Sequence, residues 1–138
     1  MTCFWVGVLK SLNKNVFNYK LRKPEPMEII NVLKKNNRKT PNVICNGEKF
    51  LNKTMEENME WITSLDVNTV RDGHDCSTFN PFLALICQLY KVHIDHEYTD
   101  TFNKRHHLTY RYTSDGKTID KNLTTLNFRS SRSHFMAL

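Results

Sequence analysis

The chain has 138 residues, 39% of them hydrophobic and 25% charged, with a formal net charge of +6. Such a length and composition describe a single domain, 1–138, with a core of its own, and exclude a disordered or fibrous chain; no apolar run is long enough to span a membrane. The charge is uneven: residues 1–40 hold nine Lys/Arg against Glu25 and Glu28, while residues 41–138 hold eleven against twelve acids.

Thr2 suits an N-cap, and Phe4, Trp5, Val8, Leu9 and Leu12 follow at helical spacing, which puts Cys3 in the first turn of a core helix. Residues 13–23 are polar and basic and read as irregular. Pro24 and Pro26 announce a helix from Met27 to about Lys35, with Met27, Ile30 and Leu33 along one face. Val43 to Phe50 reads as a small hairpin, because Asn46-Gly47 suits a type I′ turn. Thr54 and Glu57 match a capping box, which predicts a helix over 55–64 with Met55, Met59 and Ile62 inward.

Residues 72–98 form the centre of the sequence. Loop chemistry comes first; Asn80 and Pro81 then open a helix whose Phe82, Leu83, Leu85, Ile86 and Leu89 leave almost no polar face. After Lys91 the period becomes two, with Val92 and Ile94 on one side and His93 and Asp95 on the other. Leu108, Tyr110 and Tyr112 alternate likewise, Asp115-Gly116 marks a turn before Lys117-Thr118-Ile119, and Leu123–Phe128 and His134–Leu138 read as further strands. Helices first and antiparallel strands afterwards make an α+β domain.

Cys3 carries the sharpest chemistry. A cysteine in a helix's first turn meets unpaired N–H groups and the positive end of the dipole, both of which favour thiolate. A thiolate nucleophile needs a base, and His134, entering a late strand, can supply one. Against this, a small hydrophobe at position 3 and a surface histidine at 134 would look the same. Cys3, Cys45, Cys76 and Cys87 contain no C-x-x-C pair, which fits a reducing compartment and gives no disulfide framework. His93 and His96 are three apart on a strand and face opposite sides, so no metal site and no cofactor are expected. The chain start has no basic n-region and no cleavage site, so no signal peptide is expected.

Three segments resemble the OTU (ovarian-tumour-type) cysteine proteases, especially the compact viral ones. Cys3-Phe4-Trp5 with its apolar helix is similar to the nucleophile helix; Phe82 to Ile94 resembles the middle helix and strand; Ser133-His134-Phe135 resembles the terminal histidine followed by an aromatic residue. The resemblance implies a papain-like OTU fold, with N-terminal helices packed on a small, mainly antiparallel sheet. It implies a monomeric isopeptidase (deubiquitinase) acting on ubiquitin or a ubiquitin-like protein in the cytoplasm (the host's, if viral), with Cys3 and His134 catalytic and the Thr2 and Cys3 amides steadying the oxyanion. Asp72-Gly73-His74-Asp75-Cys76 echoes the family's Asp-Gly-x-Cys, one residue too long, so Cys76 is the rival nucleophile. Met1-Thr2 stand where the family usually has the Asp-Gly of its oxyanion loop; Met136 stands two after the histidine, where Asp or Asn is usual, so the expected site is a Cys/His dyad or one whose third member comes from elsewhere in the chain. An inactive binding module of the same fold is the alternative; a nucleic-acid-binding protein, suggested by the basic first 40 residues, is the other, though no membrane or nucleic-acid partner is expected.

Overall fold

Residues 3–17, 25–68, 80–131 and 134–138 are described by the structure, a computed structural model. Helix α1 (Cys3–Leu12) buries Phe4, Trp5, Val8, Leu9 and Leu12, the apolar set expected from their spacing. It runs into one turn of π-helix (Asn13–Phe17), where irregular chain was expected. Helix α2 (Pro26–Lys35) starts on its proline, whose missing N–H costs nothing there, and buries Ile29, Ile30 and Leu33. Strands β1 (Val43–Cys45) and β2 (Glu48–Lys49) form the hairpin, with Asn46 and Gly47 both at positive φ (50° and 84°), as a type I′ turn requires.

Helix α3 (Asn52–Ser64) corrects one expectation. It begins three residues earlier than the capping box implies, with Leu51 as N-cap, so Thr54 already lies inside the first turn. Local anchoring replaces the box: the Lys39 ammonium donates to Asn52 Oδ1 (2.7 Å) and Asn52 Nδ2 donates to Glu56 Oε1 (3.1 Å). Ile62 is its buried residue, while Met55 and Met59 are half-buried.

Helix α4 (Asn80–Tyr90) is the centre of the core, with every residue from Phe82 to Cys87 buried. Each fully buried Leu, Ile or Phe side chain is stabilising by about 1.5–3 kcal/mol. Gln88, the polar residue within its apolar run, is engaged at both ends of its carboxamide: the Asn42 N–H donates to Gln88 Oε1 (3.0 Å), and Gln88 Nε2 donates to Asn42 Oδ1 (3.0 Å). Lys91, at φ 52°, then reverses the chain into the sheet.

Strands β3 (His93–Thr99), β4 (Arg105–Tyr112), β5 (Thr125–Ser130) and β6 (Phe135–Ala137) complete a six-stranded sheet in the order β2-β1-β4-β3-β5-β6. Residues 117–119 form no strand of their own; Ile119 makes a single bridge to Thr113. Neighbouring strands are antiparallel except β3 and β5, which are parallel, so the sheet is mixed and the fold is α+β. In register, Ile94 lies beside Tyr110 and Leu126, and these residues with Phe128 and Phe135 make the face that the helices cover. The opposite face is polar. Arg111 Nη2 donates to Asp95 (2.6 Å), while Glu97 lies between Arg105 (4.0 Å) and Arg129 (3.7 Å). Partly exposed pairs of this kind contribute about 0–1 kcal/mol each, which suits a face turned to solvent. Among the described residues, no helix is long and apolar enough to cross a membrane.

Candidate active site

Cys3 opens α1 and is half-buried. Helix α1 lies across β6, held by aromatic packing: the Phe4 and Phe135 rings are 4.8 Å apart, and Phe135 is also 4.9 Å from Phe128. The helix can come this close because residue 7 is glycine. A Cβ there would lie 2.9 Å from Phe135 Cδ1 and 3.5 Å from the Ala137 nitrogen. Cys3 stands one turn ahead of Gly7 on the same side of the helix, at the end that Phe4 ties to Phe135. The two residues expected to do the chemistry are thus sequence neighbours of one buried aromatic contact.

His134 is exposed and precedes β6 rather than opening it; its carbonyl accepts the Ser131 N–H (2.8 Å). Phe135 points to α1, and strand alternation assigns 134 and 136 to the other side. Met136 fits that assignment, being 49% exposed. Among the described residues no hydrogen bond joins Cys3 to His134. Thr2 and Cys76, as well as Ser133, lie outside the described residues.

The other described thiols are poor nucleophiles. Burial pushes Cys87 up to about 12 and raises Cys45 as well, so neither supplies thiolate near neutrality. His93 is structural. Its Nε2–H donates to the Asp120 carbonyl (2.5 Å), and its Nδ1 accepts the Tyr112 N–H (3.1 Å), which engages both ring nitrogens. No three His, Cys, Asp or Glu side chains among the described residues are grouped to hold a metal.

His96 was expected to face away from His93, and the register puts it there: between Leu108 and Phe128, on the core side. It is 2% exposed, with Nε2 2.7 Å from Ser130 Oγ and with Nδ1 making no hydrogen bond. Its ring lies 5.6 Å from both Tyr98 and Phe135. Burial, reinforced by the nearby His107, lowers its pKa to about 4, so the imidazole is neutral at pH 7. The signal was present in the sequence: His96 is two residues after Ile94, and period two puts both on the core side. Ser130 carried no comparable signal, because its pairing with β3 depends on the parallel crossover.

Beyond Tyr98, whose ring stacks on His106 at 4.7 Å, Asp100 organises the turn between β3 and β4. Its Oδ1 accepts the N–H groups of Phe102 (2.8 Å) and Lys104 (2.9 Å), and Oδ2 accepts His106 Nε2–H (2.7 Å). The His106 bond above all, with those amides, holds the Asp100 carboxyl below the usual carboxylate range. The start of α1, the start of β6 and the ends of parallel strands β3 and β5 therefore meet at one end of the sheet. No protein family, no curated protein and no solved structure significantly matches this chain.

Proposed function

We propose that the protein is a cysteine isopeptidase of the OTU type, cleaving ubiquitin or ubiquitin-like conjugates by acyl transfer. One observation carries this reading beyond the sequence resemblance: Phe4 packs on Phe135 at 4.8 Å, which brings the first turn of α1 to the start of β6. In the mechanism, the Cys3 thiolate attacks the carbonyl of the modifier's C-terminal glycine. His134 takes the thiol proton, passes it to the leaving lysine amine, and then activates the water that releases the acyl group. The Thr2 and Cys3 amides would steady the oxyanion, one such donor being worth on the order of 3 kcal/mol. Catalytic hydrogen bonds commonly tighten only when substrate closes the site, so Cys3 and His134 need not be bonded beforehand. The test is covalent capture by a ubiquitin-based electrophilic probe, which labels the native protein and not Cys3→Ala.

A second reading has its own support. Phe135, not His134, faces α1, and Met136 replaces the side chain that orients imidazole in the family. On that reading the fold is an inactive binding module: it retains the modifier in a pull-down yet leaves the probe unreacted.

A further inference from the structure

Among the described residues no hydrogen bond reaches the His134 ring, so its place is set by its backbone. That backbone is held at the β5–β6 corner: Ser130 pairs with Phe135, and the Ser131 N–H donates to the His134 carbonyl (2.8 Å). Ser130 is in turn tied sideways. Its hydroxyl lies 2.7 Å from His96 Nε2, across the parallel pair of strands β3 and β5. The bond is diagonal, because His96 pairs in register with Phe128, two residues before Ser130 on the same side of β5. The His96 ring also lies 5.6 Å from the ring of Phe135, the residue after His134. We propose that His96 is a positioning residue for His134, acting through Ser130 and Phe135 to fix the corner from which the candidate base projects. The catalytic consequence rests on the isopeptidase reading; the fixing of the corner does not.

An imidazole is a poor choice for stability alone in this place. His96 and Ser130 are both buried, and the His96 Nδ1 makes no hydrogen bond. A leucine and an alanine could occupy the same positions without taking a polar atom out of water. What an apolar pair lacks is direction. A hydrogen bond fixes Ser130 along a set line from β3, whereas apolar contacts tolerate sliding. Direction matters most at this step of the sheet, because no tight turn joins the parallel strands β3 and β5, and β6 takes its place from β5. The error tolerated at a catalytic group is small: misplacement by about 1 Å slows a reaction on the order of 100-fold.

The test compares the native chain with His96→Leu/Ser130→Ala and with His96→Gln. It reads the urea midpoint at pH 7, amide hydrogen exchange at Ser131, and the rate of labelling by a ubiquitin-based electrophilic probe. Replacing both partners by apolar groups should leave the midpoint near native. The Ser131 amide should nevertheless exchange about five-fold faster or more, and labelling should slow about ten-fold or more. Glutamine can carry its amide nitrogen to the place of Nε2, so His96→Gln should keep both rates near native. Native exchange at Ser131 in the double variant would overturn the proposal, as would faster exchange with no loss of labelling, changes that only follow the midpoint, or losses that His96→Gln shares. A native chain that takes no label contradicts the isopeptidase reading instead, and exchange at Ser131 then decides whether His96 fixes the corner.

Discussion

At His96 a polar ring sits where water does not reach, bonded through one nitrogen to Ser130 and through the other to nothing. Protonation there would bury a charge, and the folded-state pKa of about 4 lies below the ordinary 6.5. The unfolded chain thus binds the proton more readily than the folded one. Stability from this residue is complete above about pH 6.5 and is lost as pH falls towards 4, by up to about 3 kcal/mol. Urea midpoints at pH 7, 5 and 4 check this, and His96→Gln should flatten the slope between pH 6.5 and 4. An unchanged slope in that variant assigns the acid sensitivity elsewhere. The residue scale also separates two glycines. Gly47, at φ 84° with open space around it, should lose about 1 kcal/mol on substitution by Ala, from backbone strain alone.

Between elements, the closest approach is α1 on β6. Alanine is the better helix former by about 1 kcal/mol, so Gly7→Ala on an exposed helix would stabilise. Here the added methyl meets a ring fixed between Phe4, Phe128 and His96, and overpacking of that kind costs about 1–3 kcal/mol. We expect net destabilisation in urea unfolding, with any probe reactivity falling further than stability does, because the methyl sits one turn from Cys3. Helices α1 and α4 were legible from their apolar spacing, and the β1–β2 hairpin from Asn46-Gly47. Thr54 and Glu57 misled, because a capping box is a local pattern and the Lys39–Asn52–Glu56 contacts start α3 a turn earlier. The parallel pairing of β3 with β5 was illegible for another reason: alternation says that a residue lies in a strand but not which strand lies beside it.

Across the whole molecule, the basic first third shows how charge counts can overstate a surface. Lys34 donates to the Leu65 carbonyl (2.5 Å) and Lys39 to Asn52, with Glu56 beside it at 3.5 Å, so part of that charge is spent within the fold. On the proposed isopeptidase reading, neutralising Lys35 and Arg38 together should leave cleavage within a few-fold of native at physiological salt, since exposed charges are screened beyond about 8 Å; a ten-fold loss of kcat/KM would make them substrate contacts. Of the candidate site, Cys3 opens α1 as its spacing predicts, whereas His134 precedes β6 (Phe135–Ala137) instead of opening the strand expected over 134–138. What could not be read was the facing of β6, on which Phe135 rather than His134 turns towards α1. The measurement that bears most directly on the account is labelling by a ubiquitin-based electrophilic probe of four proteins: native, Cys3→Ala, His134→Ala and Cys76→Ala. The account predicts a one-to-one adduct mapped to Cys3 by peptide mass, absent in Cys3→Ala, strongly slowed in His134→Ala and retained in Cys76→Ala. A folded native protein that takes no label, or an adduct that persists in Cys3→Ala and disappears in Cys76→Ala, would contradict it.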